Sequence, residues 1–234
     1  LIEYNDTLNP ILWDGFNIKA EIKEKLLEIY TTFKQQVLDN NIPLDIIDVL
    51  LLGSNASFNY TKNSDIDLHL VVDFNDISID STLVQVLYNS EKSTFNSNHN
   101  ITIKGLPVEV YIEDINAGTQ SNGIFSLLQN KWLRLPEYNP PEDVNIEQLL
   151  NHYNTLVQEA LLSNSPEKIK HLINDIRMLR KISLNANGEY SKGNLVFKEL
   201  RNNGDIQKLY DTLADLTSSQ LSLENNKRTL SEVK

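Results

Sequence analysis

The sequence contains no cysteine. That absence removes two functional classes at once, the disulfide-framed fold and the thiolate-bound metal centre, and it accords with a reducing, cytoplasmic setting. Long apolar runs are also lacking: the longest fall far below the roughly 20 residues that a membrane-spanning helix needs, and the first residues show no basic-then-apolar leader pattern. No membrane partner is expected. Positive charge is scarce, with 21 Lys and Arg against 32 Asp and Glu for a net charge of −11. The deficit lies in one part of the chain, because residues 1–141 hold 9 Lys/Arg against 19 Asp/Glu and residues 142–234 hold 12 against 13. An acidic surface repels a phosphate backbone, so general nucleic-acid binding is disfavoured for the first part and a site for divalent cations is favoured.

What is present is ordinary for a globular protein: 40% apolar and 23% charged residues over 234 positions, enough for one large domain or two small ones. Over 18–38, Ile22, Leu26, Ile29, Phe33 and Val37 recur at helical spacing among Lys and Glu, which predicts an amphipathic helix packed on a sheet. Residues 46–52, apolar but for Asp48, suit a central strand, and 66–74 a second strand. A helix is expected over 81–96, then short strands over 101–104 and 108–112 around a turn at Gly105-Leu106-Pro107. Residues 123–135 read equally as a short helix or an edge hairpin.

Pro136, Pro140 and Pro141 mark a change in pattern, and the expected domains are 1–141 and 142–234. Beyond them come helical stripes: Ile146 to Leu161, Ile169 to Leu179, a short helix over 191–201 and a last one over 205–223. Short connections between such stripes predict an antiparallel bundle, with the final ten or so residues frayed. The fold class is therefore α/β (α+β), a mixed β-sheet domain followed by an α-helical bundle.

Chemistry concentrates in VLLLGSNASFNYTKNSDIDLHLVVDF, residues 49–74. An apolar strand ends at Gly53-Ser54, ten residues intervene, and Asp65-Ile66-Asp67 opens the next strand. Side chains on a strand return to one face about every 6.7 Å, so Asp65, Asp67 and His69 are expected on one face and Ile66, Leu68 and Leu70 on the other. Further on, Glu109 and Tyr111 alternate against Val108, Val110 and Ile112, which supplies a third acid on another strand. Each piece alone is equally compatible with solvated acids at a strand end or a plain turn. The order of the pieces carries the information.

That order resembles the nucleotidyltransferase superfamily of DNA polymerase β, the minimal nucleotidyltransferases and the CCA-adding enzymes. Leu52-Gly53-Ser54, Asp65-Ile66-Asp67 and Val108-Glu109-Val110 fill the three parts of the family pattern. More loosely, LNPILWD, FSLLQNKWL and GEYSKGNLVFKELRNNG look like uncharacterised nucleotidyltransferases of large bacteriophages, which implies a host-cytoplasm location.

The resemblance implies transfer of a nucleoside monophosphate from an NTP, ATP among the candidates, to an acceptor hydroxyl. Asp65, Asp67 and Glu109 would hold two Mg²⁺ or Mn²⁺ ions, Glu109 on the ion that activates the attacking hydroxyl. Ser54 would contact the β- and γ-phosphates, with Gly53 allowing the close approach, and Tyr111 is the candidate base-stacking residue. Glu109 stands where the family often has Asp and is one methylene longer. The acceptor stays open: an RNA end, a protein side chain, a small hydroxylated molecule or a second nucleotide. So does a different class of function, a non-catalytic or antitoxin-like binding module that keeps the fold and works through protein contacts.

His69 reads as a hydrogen-bonded sheet histidine or as a support to the metal ligands. His99, His152 and His171 lack metal-ligand spacing, and Trp13 and Trp132 read as core anchors. Arg177, Arg180, Lys181, Lys192, Lys198 and Arg201 read as a solvated helix face or as phosphate contacts, with Lys198 and Arg201 the nucleotide-binding candidates.

Overall fold

The structure, a computed structural model, describes residues 4–78, 80–119, 121–138, 144–188 and 190–222. They fall into two compact units, one within 4–138 and one within 144–222. The expected boundary at 136–142 lies partly, and the last ten residues wholly, outside the described residues.

The first unit is a mixed six-stranded sheet with two helices. A two-residue hairpin of β1 (Trp13–Asp14) and β2 (Asn17–Ile18) leads into α1 (Ala20–Asp39), then β3 (Asp48–Leu52), β4 (Ile66–Val72), α2 (Ser81–Asn98), β5 (Thr102–Ile103), β6 (Leu106–Asp114), β7 (Ile124–Ser126) and β8 (Lys131–Arg134). The strand order is β5-β6-β4-β3-β7-β8. β3 runs antiparallel to β4 and β7, whereas β4 and β6 are parallel and joined through α2. A parallel pair needs such a crossover.

The sequence pattern explains these elements. All five apolar residues of the α1 stripe are buried, and they join Val84, Tyr88 and Phe95 of α2 on one face of the sheet. Phe33 and Phe95 meet edge to face at 5.0 Å between the helices. That sheet face presents Val49, Leu51, Ile66, Leu68, Leu70, Val108 and Val110, so burial alternates along β4 from 66 to 70 and along β6 from 106 to 112. Asp80 caps α2 by accepting from the backbone N–H groups of Thr82 and Leu83 at 3.0 and 3.1 Å.

Two local expectations need correction or resolution. The turn expected at 105–107 is instead Lys104-Gly105, both at positive φ, because Leu106 pairs with Ile103 and Pro107 with Thr102. Proline fits there because the ladder bond beyond the turn is donated by the next residue, Val108 N–H to the Ile101 carbonyl at 2.9 Å, so none is needed from residue 107 toward β5. The 123–135 stretch is a hairpin at the other edge of the sheet, where Trp132 stacks on buried Trp13 at 4.7 Å.

The second unit is helical: α3 (Glu147–Leu162), α4 (Pro166–Asn187), α5 (Lys192–Asn202) and α6 (Asp205–Leu221). Ser165 caps α4 with Pro166 in its first turn, and Gly204 opens α6. Its core joins Val157, Ile169, Leu172, Ile173, Ile176, Val196, Leu200 and Leu209. Among the described residues no helix is long and apolar enough to cross a membrane.

Candidate active site

Alternation sends the polar residues of β4 and β6 to the sheet face opposite the helices. The parallel register sets Asp67 beside Glu109, His69 beside Tyr111 and Val71 beside Glu113. On the other side of β4, Leu52 pairs with Asp67 and Leu50 with His69. Leu50, Leu52, Val71 and Ile124 form a small apolar cluster on this face. Asp67 therefore stands between an apolar wall from β3 and the carboxylate of β6.

Gly53 closes the site at the end of β3. Its φ of 72° lies in the left-handed region, and a Cβ there would sit 1.9 Å from the Asp67 Oδ2. The backbone of residue 53 thus packs directly on the Asp67 carboxylate, an approach only glycine permits. The Gly53 N–H donates to Ser121 Oγ at 3.3 Å. Ser54 starts a single 3-10 turn, Ser54–Ala56, and its hydroxyl donates to Ser64 Oγ at 2.8 Å.

β4 begins at Ile66, so Asp65 sits at the threshold of the strand rather than within it. What holds it there is Asn55, a residue the sequence reading passed over. Fully buried, Asn55 donates through Nδ2 to the carbonyl of Asp65 at 2.7 Å and of Ser64 at 3.3 Å, and its Oδ1 accepts from Asn9 Nδ2 at 2.7 Å. Its own carbonyl accepts from Trp13 Nε1 at 2.7 Å. The Gly-Ser turn and the start of β4 are locked together through one amide side chain.

Tyr111 lies among the acids. Its hydroxyl donates to Glu109 Oε2, its ring stacks on His69 at 4.8 Å, and Lys92 Nζ from α2 lies 4.3 Å from the ring centre. Burial pushes the phenol well above its ordinary range, and the Glu109 hydrogen bond and the charges of Glu109, Asp67 and Asp65 push it further. Tyr111 thus stands within electrostatic reach of all three carboxylates. Tyr111 is a neutral donor at any physiological pH.

His69 is a hydrogen-bonded sheet histidine: its Nδ1 lies 2.8 Å from Glu113 Oε2, and Glu113 Oε1 accepts from the Thr119 hydroxyl at 2.6 Å. These bonds, the His69 one first, hold the Glu113 carboxyl below its ordinary range although burial opposes them. Neither Glu113 nor Lys92 stands out in the sequence, since both look like surface charges.

Gly53, Ser54, Asp65, Asp67, Glu109 and Tyr111 all belong to this end of the first unit. Lys198, half-buried, and Arg201, exposed, stand on α5 of the helical unit. Among the described residues no group of three or more His, Asp or Glu side chains is already arranged to hold a metal ion. The donor set nevertheless suits a hard cation: carboxylate oxygens, with Asp67 fixed against Gly53. Tyr111 occupies one oxygen of Glu109. Compared with family models and with curated proteins, the chain matches none.

Proposed function

We propose that the first unit is a nucleotidyltransferase, transferring a nucleoside monophosphate from an NTP to an acceptor hydroxyl with release of pyrophosphate. The observation that carries this reading is the juxtaposition of Asp67 with Glu109 across parallel strands, with the Gly53 backbone pressed on the Asp67 carboxylate. A mixed sheet in which β3 is antiparallel to β4 and β4 parallel to β6 supports it, since the Gly53 end of β3 packs on Asp67 and Asp67 pairs with Glu109.

Asp65, Asp67 and Glu109 would hold Mg²⁺ or Mn²⁺, two ions in all. Bound divalent cations neutralise charge on the attacking and leaving oxygens of an in-line displacement. The chain's own residues do the rest. Ser54 offers a hydroxyl to the β- and γ-phosphates in place of its bond to Ser64. Glu109 turns from Tyr111 toward the acceptor side, which leaves the Tyr111 hydroxyl as a neutral donor for an incoming oxygen. Asn55 keeps the Asp65 backbone in place throughout.

One observation favours the second reading, a non-catalytic or antitoxin-like module: Glu109 is tied to Tyr111. Steady-state kinetics on two variants separates the readings. Asp67→Asn should lower kcat about 10²–10³-fold, and Ser54→Ala should raise KM about tenfold, the equivalent of one hydrogen bond. An Asp67→Asn protein with wild-type kcat would remove the assignment.

A further inference from the structure

The helical unit contains a cavity of about 460 Å³ between α4, α5 and α6, within the size range of small-molecule sites. Buried Ile173, Ile176 and Leu209 line its interior, with Leu184 beside them. Its rim carries Arg177, Arg180 and Lys181. A solvated helix face would scatter such cations, but here two lie over aromatic rings: Arg180 is 4.3 Å from the centre of Phe197 and Arg177 5.5 Å from that of Tyr210. Among the described residues neither Arg177 nor Lys181 is paired with a carboxylate. Residues 177–201 hold six Lys/Arg against two Glu, in a chain whose net charge is −11.

We propose that this cavity binds a small anionic molecule with an apolar body, its phosphate or carboxylate on Arg177 and Lys181 and its body against the aliphatic interior. The Arg177 guanidinium can make paired hydrogen bonds to such a head, with the Lys181 ammonium as a second charge. Phe197 and Tyr210 each turn a face to a guanidinium, so the body lies against aliphatic side chains rather than stacked on those faces. The site belongs to the helical unit alone and stands or falls independently of nucleotidyl transfer.

Isothermal titration calorimetry of the full chain tests it with octyl phosphate and octanoate as probes, and with octanol and inorganic phosphate as controls. One probe should bind 1:1 at least tenfold more tightly than either control, and the tighter of the two identifies the head group. R177E/K181E, both at exposed positions, should weaken that probe at least tenfold with an unchanged melting temperature. Leu184→Trp, which fills the cavity and keeps the charges, should weaken it comparably. Equal binding of octanol, or undiminished probe binding by R177E/K181E, would overturn the proposal.

Discussion

At the scale of single residues, Gly53 and Asp67 are one structural decision. A methyl group on residue 53 would overlap the Asp67 carboxylate and would also hold a left-handed backbone in a side-chain-bearing residue. Gly53→Ala should therefore destabilise the unit by about 1–3 kcal/mol from backbone strain alone, and displace Asp67. Chemical denaturation measures the first effect; the loss of any divalent-ion response at equal folding reports the second. A Gly53→Ala protein of native stability would mean the turn relaxes freely. Asn55 is the complementary case. Asn55→Ala strands the Asp65 carbonyl and the Asn9 amide without their buried partner, a loss of about 1–3 kcal/mol for each group left unsatisfied. Denaturant midpoints check this, and a change under about 0.5 kcal/mol would contradict the role given to it.

At the scale of elements, β4 and β6 carry both the fold and the candidate site, because one face is core and the other presents Asp67, Glu109 and Tyr111. The Glu113 side chain of β6 links this arrangement to pH. Its carboxyl is held below the ordinary 4.5 by His69 first and then Thr119. A depressed folded-state pKa gives stability that is present above the unfolded value and lost as pH falls through the folded one. Melting temperature should thus fall as pH drops below 4.5, and Glu113→Gln should flatten that fall. An unchanged acid limb in the variant would contradict it. Tyr88 of α2 works at the other end. Fully buried and donating to the Pro43 carbonyl at 2.6 Å, its phenol is pushed up to about 12 by burial. A raised phenol protects the fold below its unfolded value of 10 and loses that contribution as pH rises through 12. Tyr88→Phe should reduce the alkaline loss in a pH-dependent thermal melt.

Much of this was legible in the sequence, for reasons that particular residues show. Ile22, Leu26, Ile29, Phe33 and Val37 announced α1 because a helix of five periodic apolar residues has one way to bury them. Ile66, Leu68 and Leu70 did the same for β4 at a period of two. The Lys104-Gly105 turn was misplaced because Leu106-Pro107 looks like a turn locally, while the pairing of Pro107 with Thr102 is a tertiary choice. Asn55 was invisible for a like reason: asparagine in a polar loop is usually solvated, and only the folded chain brings Asn9 and Asp65 to its amide. The Tyr111 contacts with His69 and Lys92 depend on strand register and helix placement, neither of which periodicity encodes.

At the scale of the whole molecule, negative charge is concentrated in residues 1–141, the stretch that contains the three acids. On the proposed function, a divalent cation held by Asp65, Asp67 and Glu109 would couple binding to stability. Mg²⁺ at about 100 times its Kd should add about 2.7 kcal/mol to unfolding. The expected rise in melting temperature should vanish in Asp67→Asn. Removing Glu109's competing partner with Tyr111→Phe should lower the Mg²⁺ concentration needed. Indifference of the wild-type chain to Mg²⁺ and Mn²⁺, with and without nucleotide, would contradict the cation site. The central claim is nucleotidyl transfer, and the most direct measurement is pyrophosphate release with α-labelled NTPs, Mg²⁺ or Mn²⁺ and a cell extract as the source of acceptor. The wild-type chain should give pyrophosphate and a labelled acceptor product, and Asp67→Asn about 10²–10³-fold less of both; no release above that variant under either metal would contradict nucleotidyl transfer.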